Sequence, residues 1–185
     1  MQVLEKGVSI DEVVVDMVKR EHKSDAYRAL NPYGRVPTLV DGDFVLFESS
    51  AIMEYLERVF PAPPLVPPSA QGRAQVSMHI KLCDLEFGAQ TGALIFPRRF
   101  LPRERWNLPV QQAALDVIAK HLEVLDRQLA GKQYLVEDRY SLADLAYTPF
   151  IEFLGLLELV APSHVAAWAE RLSARPSALA TRPNA

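Results

Sequence analysis

The sequence predicts a small α/β domain followed by an all-helical domain, and three observations predict it. Within the first 60 residues, short β-branched runs alternate with short helical patterns, and two of the runs meet at Asp41-Gly42, a strong hairpin signal. Between Phe60 and Ser69 stand Pro61, Pro63, Pro64, Pro67 and Pro68, which excludes regular helix or central strand and reads as a stiff linker. Beyond the linker the patterns are helical. The domains are therefore expected at residues 1–60 and 72–185, with the linker at 61–71.

In chain order, Gln2 to Lys6 reads as a last helical turn stopped by Gly7. Val8 to Val15 is rich in β-branched residues and reads as a strand. Lys19 to Lys23 is a charged loop, and Asp25 to Leu30 a short helix ended before Asn31-Pro32. Thr38 to Val40 and Phe44 to Phe47 are the hairpin strands. Ser49 to Val59 is an amphipathic helix with Ile52, Tyr55, Leu56 and Val59 on one face. In the second domain, helices are expected at Arg73 to Thr91, Pro109 to Leu129, Ser141 to Leu157 and Pro162 to Leu172. The second has proline at its start and Gly131 just past its end. The Pro/Ala-rich tail from Pro176 is expected to fray or to dock only loosely.

Composition narrows the function classes. The chain has 185 residues, 49% of them hydrophobic and 23% charged, long enough to bury a real core. A formal net charge of −3 lacks the basic footprint of a nucleic-acid binder. No apolar run is long enough to span a bilayer. The one cysteine, Cys83, rules out an intramolecular disulfide and fits a reducing cytoplasm. His22, His79, His121 and His164 have no metal-ligand spacing, and no phosphate loop of Walker or Rossmann type is present.

The run Asn31-Pro32-Tyr33-Gly34-Arg35-Val36-Pro37-Thr38-Leu39, followed by Phe47-Glu48-Ser49-Ser50-Ala51-Ile52, carries the chemistry. A proline directly before a short strand is unusual, because it has no N–H to give a sheet. It makes sense if the Val36–Pro37 bond is cis, reversing the chain and exposing the N–H and C=O of Val36. Exposed backbone of that kind can take another backbone as an added strand. Glu48-Ser49 then meets a helix N-terminus, where N–H groups and the helix dipole favour a carboxylate. Together these features describe a site for a small peptide with an anionic end.

These residues resemble the N-terminal half of a glutathione transferase, above all its phi-like and related bacterial branches. The similar stretch runs from Val3-Leu4-Glu5-Lys6-Gly7, through Glu21-His22-Lys23-Ser24, to Ile52-Met53-Glu54-Tyr55-Leu56. It continues more weakly to Tyr140-Ser141-Leu142-Ala143-Asp144. The resemblance implies a thioredoxin-like first domain on a helical bundle, glutathione as co-substrate, and a homodimer. Members begin with a strand, a loop carrying a catalytic Ser, Tyr or Cys, and most of a helix; this chain is expected to start near the end of that helix. The thioredoxin-like domain is then incomplete, since the absent strand would lie between the Val8 and Thr38 strands. Three arrangements stay open: residues upstream of the start, direct pairing of the two strands, or a strand from another chain.

The resemblance also suggests roles for single residues. Glu48 would accept the ammonium of glutathione, Ser49 and the helix N-terminus the γ-glutamyl carboxylate, and the Val36 backbone the cysteinyl residue. Ser49 or Ser50 could instead be only a helix cap, and the turn at Val36 only structural. His22 and Lys23 match a His-Lys pair that holds the glycyl carboxylate in phi-like members, or form a merely solvated pair. A guanidinium at Arg35 could bind the same carboxylate in bidentate fashion or cover a domain interface. No catalytic residue is identified. Tyr33, Arg35 and Ser50 are local candidates to activate the thiol, and none matches a family catalytic position. Cys83, between Leu82 and Leu85, reads as a small buried apolar residue. Ser141-Leu142-Ala143-Asp144 reads as a capping box, Ala at Asp144 costing about 0.5–2 kcal/mol. Phe96, Phe100 and Trp106 sit in a Pro- and Arg-rich stretch and would line an electrophile pocket or a dimer contact.

Three functions are compatible with these residues. One is a glutathione transferase-type enzyme promoting conjugation, or thiol-assisted isomerisation, of a small electrophile. The second is an inactive relative that binds partners, as the stringent starvation type has become. The third is a glutathione-independent tailoring enzyme on the same fold.

Overall fold

A computed structural model describes residues 1–182 of the chain in two units, Gln2–Pro63 and the segment from Pro64 onward. In the first, helix α1 (Gln2–Glu5) ends at Gly7, whose φ of 63° is the left-handed conformation that glycine adopts without strain. Val8 N–H bonds Val3 O at 2.9 Å and Gly7 N–H bonds Leu4 O at 3.1 Å, the Schellman pattern of helix termination. Helix α2 (Asp25–Leu30) is capped by the Ser24 hydroxyl, which accepts from Tyr27 N at 3.2 Å. A 3-10 turn, Glu21–Lys23, precedes it in the segment expected to be a charged loop.

Strands β1 (Thr38–Asp41) and β2 (Phe44–Phe47) pair antiparallel, with Thr38 opposite Phe47 and Asp41 opposite Phe44. That register leaves a two-residue turn at Gly42-Asp43, one position beyond the expected one, and Gly42 supplies the positive φ of 58°. Helix α3 (Ser49–Val59) follows, burying Ile52 and Leu56. Two polar clamps hold α1 on it. Gln2 Nε2 donates to Met53 O at 2.9 Å, and Lys6 Nζ meets Glu57 at 2.5 Å and Pro63 O at 2.8 Å.

The expected strand at Val8 to Val15 does not form: the described residues contain one sheet, of β1 and β2 alone. Val13 and Val14 are 86% and 87% exposed. β-Propensity measures how well a side chain fits a pleated, half-buried surface. This run has no neighbouring strand to supply that surface, so its composition alone does not make a strand.

In the second unit, α4 (Ala70–Leu82) and α5 (Ala89–Phe100) are joined by a π-helical turn, Cys83–Gly88. The helix expected at Arg73 to Thr91 is therefore longer and interrupted. It runs through Pro97 because buried Leu94 anchors the last turns and because the lost N–H removes only one bond. Trp106 Nε1 closes its end, donating to Pro97 O and Leu101 O at 3.1 Å each. Helix α6 (Leu108–Leu129) starts at an Asn107 cap, carries proline in its first turn, and buries Ala114, Ile118, Leu122, Leu125 and Leu129 as one stripe. Helices α7 (Leu142–Ile151), α8 (Ser163–Ser173) and α9 (Pro176–Ala180) complete the unit.

Helix α7 stops at Ile151 rather than reaching Leu157, as tighter bonds take over at Phe153 N to Phe150 O (3.0 Å) and Leu154 N to Ile151 O (3.2 Å). The tail from Pro176 does not fray where it is described: α9 buries Ser177 and Ala178, and residues 183–185 lie outside the described residues. The box at Ser141 becomes a buried hub. Asp144 Oδ2 accepts from Ser141 N (2.9 Å) and Oγ (3.0 Å), while Oδ1 accepts from Leu135 N (3.1 Å) and Trp168 Nε1 (2.9 Å). Burial pushes this carboxyl's pKa upward, and the four donors pull against that shift.

Candidate functional site

The hairpin register assembles the site. Thr38 faces Phe47, so Val36-Pro37, just before β1, and Glu48-Ser49, just after β2, emerge at the same end of the ribbon. Arg35, Val36, Glu48 and Ser49 are all exposed there. The Val36–Pro37 bond is cis. Among the described residues the N–H and C=O of Val36 carry no hydrogen bond, and the guanidinium of Arg35 makes neither a hydrogen bond nor an ion pair.

Glu48 occupies the cap position of α3 with φ 72° and ψ 119°, and no side chain closes the helix end. Neither Ser49 nor Ser50 is the cap, since both lie inside the helix. The first intrahelical bond runs from Ile52 N to Glu48 O at 3.0 Å. The amides of Ser49, Ser50 and Ala51 thus point out of the helix as donors, at the positive end of its dipole. Left-handed backbone at a non-glycine residue costs on the order of 1–3 kcal/mol, and such positions cluster at ligand clamps.

His22 and Lys23 join the same end through the turn at residues 33–34. Lys23 Nζ donates to Gly34 O at 2.7 Å and Tyr33 O at 3.3 Å. His22 Nδ1 is buried with no partner among the described residues. Gly34 has φ 57°, and a Cβ built there would lie 2.6 Å from His22 O, so this close approach requires glycine. Sequence reasoning missed two residues here. Tyr27 Oη donates to Arg35 O at 2.9 Å and lies 2.8 Å from Thr38 Oγ1. Asn31 Nδ2 donates to the same carbonyl at 2.7 Å, while its Oδ1 accepts from Tyr33 N at 3.1 Å. The one signal was Asn31-Pro32 as a turn dipeptide.

The other candidates for chemistry are elsewhere or inert. Cys83 is fully buried, its Sγ 3.4 Å from Ala146 O, and burial together with the Asp84 charge pushes its thiol pKa far up. It has no access to a thiolate role. Tyr33 is exposed and packs edge-on to Phe47 at 5.8 Å. Phe96 and Phe100 lie on α5 itself, exposed, with ring centroids 5.4 Å apart. The guanidiniums of Arg98 and Arg103 lie 5.3 and 5.8 Å from the centre of the Trp106 ring. No group of three or more His, Cys, Asp or Glu among the described residues could hold a metal ion. No described helix is long and apolar enough to cross a membrane.

Comparison with known proteins identifies the family. The family model for the glutathione S-transferase N-terminal domain matches residues 1–59, and that for the C-terminal domain matches residues 96–176. Glutathione S-transferase F10 of Arabidopsis thaliana is 34% identical over 183 residues, 93% of this chain and 84% of the relative. The stringent starvation protein A homolog of Coxiella burnetii is 34% identical over 164 residues, 88% of this chain and 72% of the relative. A theta class glutathione S-transferase from Xanthomonas axonopodis pv. citri, solved with glutathione bound, superposes with a TM-score of 0.89 at 31% identity, covering 99% of this chain and 89% of that one. The chain belongs to the glutathione S-transferase family: a thioredoxin-like N-terminal domain followed by a helical C-terminal domain.

Proposed function

We propose that this chain binds glutathione at the open end of the β1–β2 hairpin and promotes reaction of its thiol with a small electrophilic molecule. The observation that carries the reading is the juxtaposition of an unbonded backbone at Val36 with the uncapped N-terminus of α3 at Glu48-Ser49. The cysteinyl backbone would pair with Val36 as an added strand. The γ-glutamyl carboxylate would sit on the amides of α3 and the Ser49 hydroxyl, and its ammonium on Glu48. Arg35, His22 and Lys23 would meet the glycyl carboxylate. The family relative solved with glutathione bound supports the ligand. Reaction class, a cytoplasmic location and a homodimer belong to the same proposal, and light scattering giving a monomer mass would refute the last.

Retention on immobilised glutathione and turnover of a chloronitroaromatic electrophile test the reading together. The parent is expected to be retained and to turn over, and Glu48→Ala to be lost from the column. Equal retention of Glu48→Ala would overturn the ligand assignment. A second reading, binding without catalysis, is favoured by the likeness to the stringent starvation protein A homolog. It predicts retention without turnover, and a parent that is not retained but turns over some substrate alone would point to glutathione-independent chemistry.

A further inference from the structure

We propose that Tyr27 and Asn31 are positioning residues for the ligand: by fixing the carbonyl of Arg35, they aim the free amide of Val36. The inference rests on the reading of this end of the hairpin as the glutathione site.

Two donors converge on one oxygen. Tyr27 Oη and Asn31 Nδ2 reach Arg35 O at 2.9 and 2.7 Å, using both of its lone pairs. Tyr27 has one hydroxyl hydrogen, so the 2.8 Å contact with Thr38 Oγ1 has Thr38 donating to Tyr27. The phenol is thereby tied to the first residue of β1 as well as to the turn. Asn31 is 1% exposed and anchored in its own right, its N–H on Tyr27 O at 2.9 Å and its carbonyl accepting from Gly34 N at 2.8 Å.

Peptide planarity carries the clamp to the ligand side. The carbonyl of Arg35 and the N–H of Val36 belong to one planar unit, in which a trans bond points them in opposite directions. The cis bonds of the described chain are Val36–Pro37 and Ala62–Pro63, so the Arg35–Val36 unit is trans. Holding Arg35 O inward on two side chains therefore turns Val36 N–H outward, where nothing in the described chain claims it. A donor fixed before the ligand arrives spares the ordering cost of binding. Arg35, whose side chain would serve the ligand directly, thus contributes its backbone to a separate task.

The test uses the full chain and two variants. Tyr27→Phe keeps the ring and removes the donor. Asn31→Asp keeps the acceptor for Tyr33 N and puts a second acceptor against Arg35 O. Titration calorimetry with glutathione, well below the unfolding midpoint, is expected to show weakening of about three- to tenfold for Tyr27→Phe, the worth of one neutral hydrogen bond. Asn31→Asp is expected to lose more. In nitrogen–proton spectra of the ligand-free protein, the Val36 amide is expected to shift and broaden in both variants while helix α6 amides stay in place, a readout that a merely structural role would not single out. An unchanged Val36 amide with glutathione affinity within about twofold of the parent would overturn the proposal. A parent that binds no glutathione, with a Val36 amide that still responds to Tyr27→Phe, would instead overturn the ligand reading and leave the clamp as part of the fold alone.

Discussion

Acid is expected to destabilise the helical unit through His79. This residue lies in the last turn of α4, 3% exposed, with Nδ1 buried and unpartnered among the described residues. Burial first, then the positive charges of His121 and Lys132, lowers its pKa from 6.5 to about 4. A protonated ring there would hold a charge away from water and an N–H with no acceptor. The sign follows from which state takes up the proton. Above the unfolded value of 6.5 the ring is neutral in both states and stability is at its full value. As pH falls below 6.5 the unfolded chain binds a proton that the native one refuses, so stability drops until the native ring titrates near 4. Between about pH 7.5 and about pH 5 this amounts to about 2 kcal/mol, at about 1.4 kcal/mol for each pH unit of unmatched protonation. For a chain of this size, that is a fall of roughly 4–8 °C in unfolding temperature. His121, also held down by burial and hydrogen-bonded to the Tyr147 hydroxyl at 2.8 Å, adds in the same direction. Urea titrations of the parent and of His79→Gln at the two pH values isolate the His79 share, because all other groups titrate in both. The variant is expected to lose about 2 kcal/mol less than the parent on acidification. Identical losses would refute the reasoning.

Three further outcomes follow from the packing. Asp144→Ala strands the Leu135 amide and the Trp168 indole as well as the helix cap. It is expected to cost about 3–5 kcal/mol in denaturant unfolding, above the 0.5–2 kcal/mol of a cap alone; a loss of about 1 kcal/mol would mean that the hub is not formed. Cys83, with no exposed surface, is expected to resist iodoacetamide in the native protein and to label fully in denaturant; rapid native labelling would contradict its burial. The amides of Ser9 to Val15, outside any ladder, are expected to exchange with solvent at near-random-coil rates while those of Ile118 to Leu125 are protected. Protection of the Ser9–Val15 run would show that it pairs in solution.

Much of the candidate site was legible because it is local. Asn31-Pro32, Gly34, Pro37 and Gly42 impose their backbone conformations locally, although the hairpin turn falls at Gly42-Asp43 and not at Asp41-Gly42, and the α3 stripe at Ile52 and Leu56 follows from helical period. Pro109 and Gly131 likewise marked the ends of α6 in the chain itself, while the Asn107 cap came only with the structure. The clamp by Tyr27 and Asn31 was not legible. It depends on a carbonyl several residues away, and backbone oxygens carry no signature in a sequence.

The remaining differences lie where a segment's state depends on its neighbours. Val8 to Val15 has strand composition, yet a strand exists only in a pair, and the described residues supply it with none. The helix expected to end at Thr91 runs on through Pro97 to Phe100, with Leu94 buried and the Trp106 indole on the Pro97 carbonyl. Ser141-Asp144 reads as a cap, yet Trp168 and Leu135 make it a buried hub. The sequence by itself determined the turns, caps and helical stripes, because each is set by forces within a few residues of itself. Only the tertiary structure decided which strand-like run is a strand, which proline is tolerated and which carboxylate is buried, because those outcomes are set by groups far along the chain that come near only once it is folded.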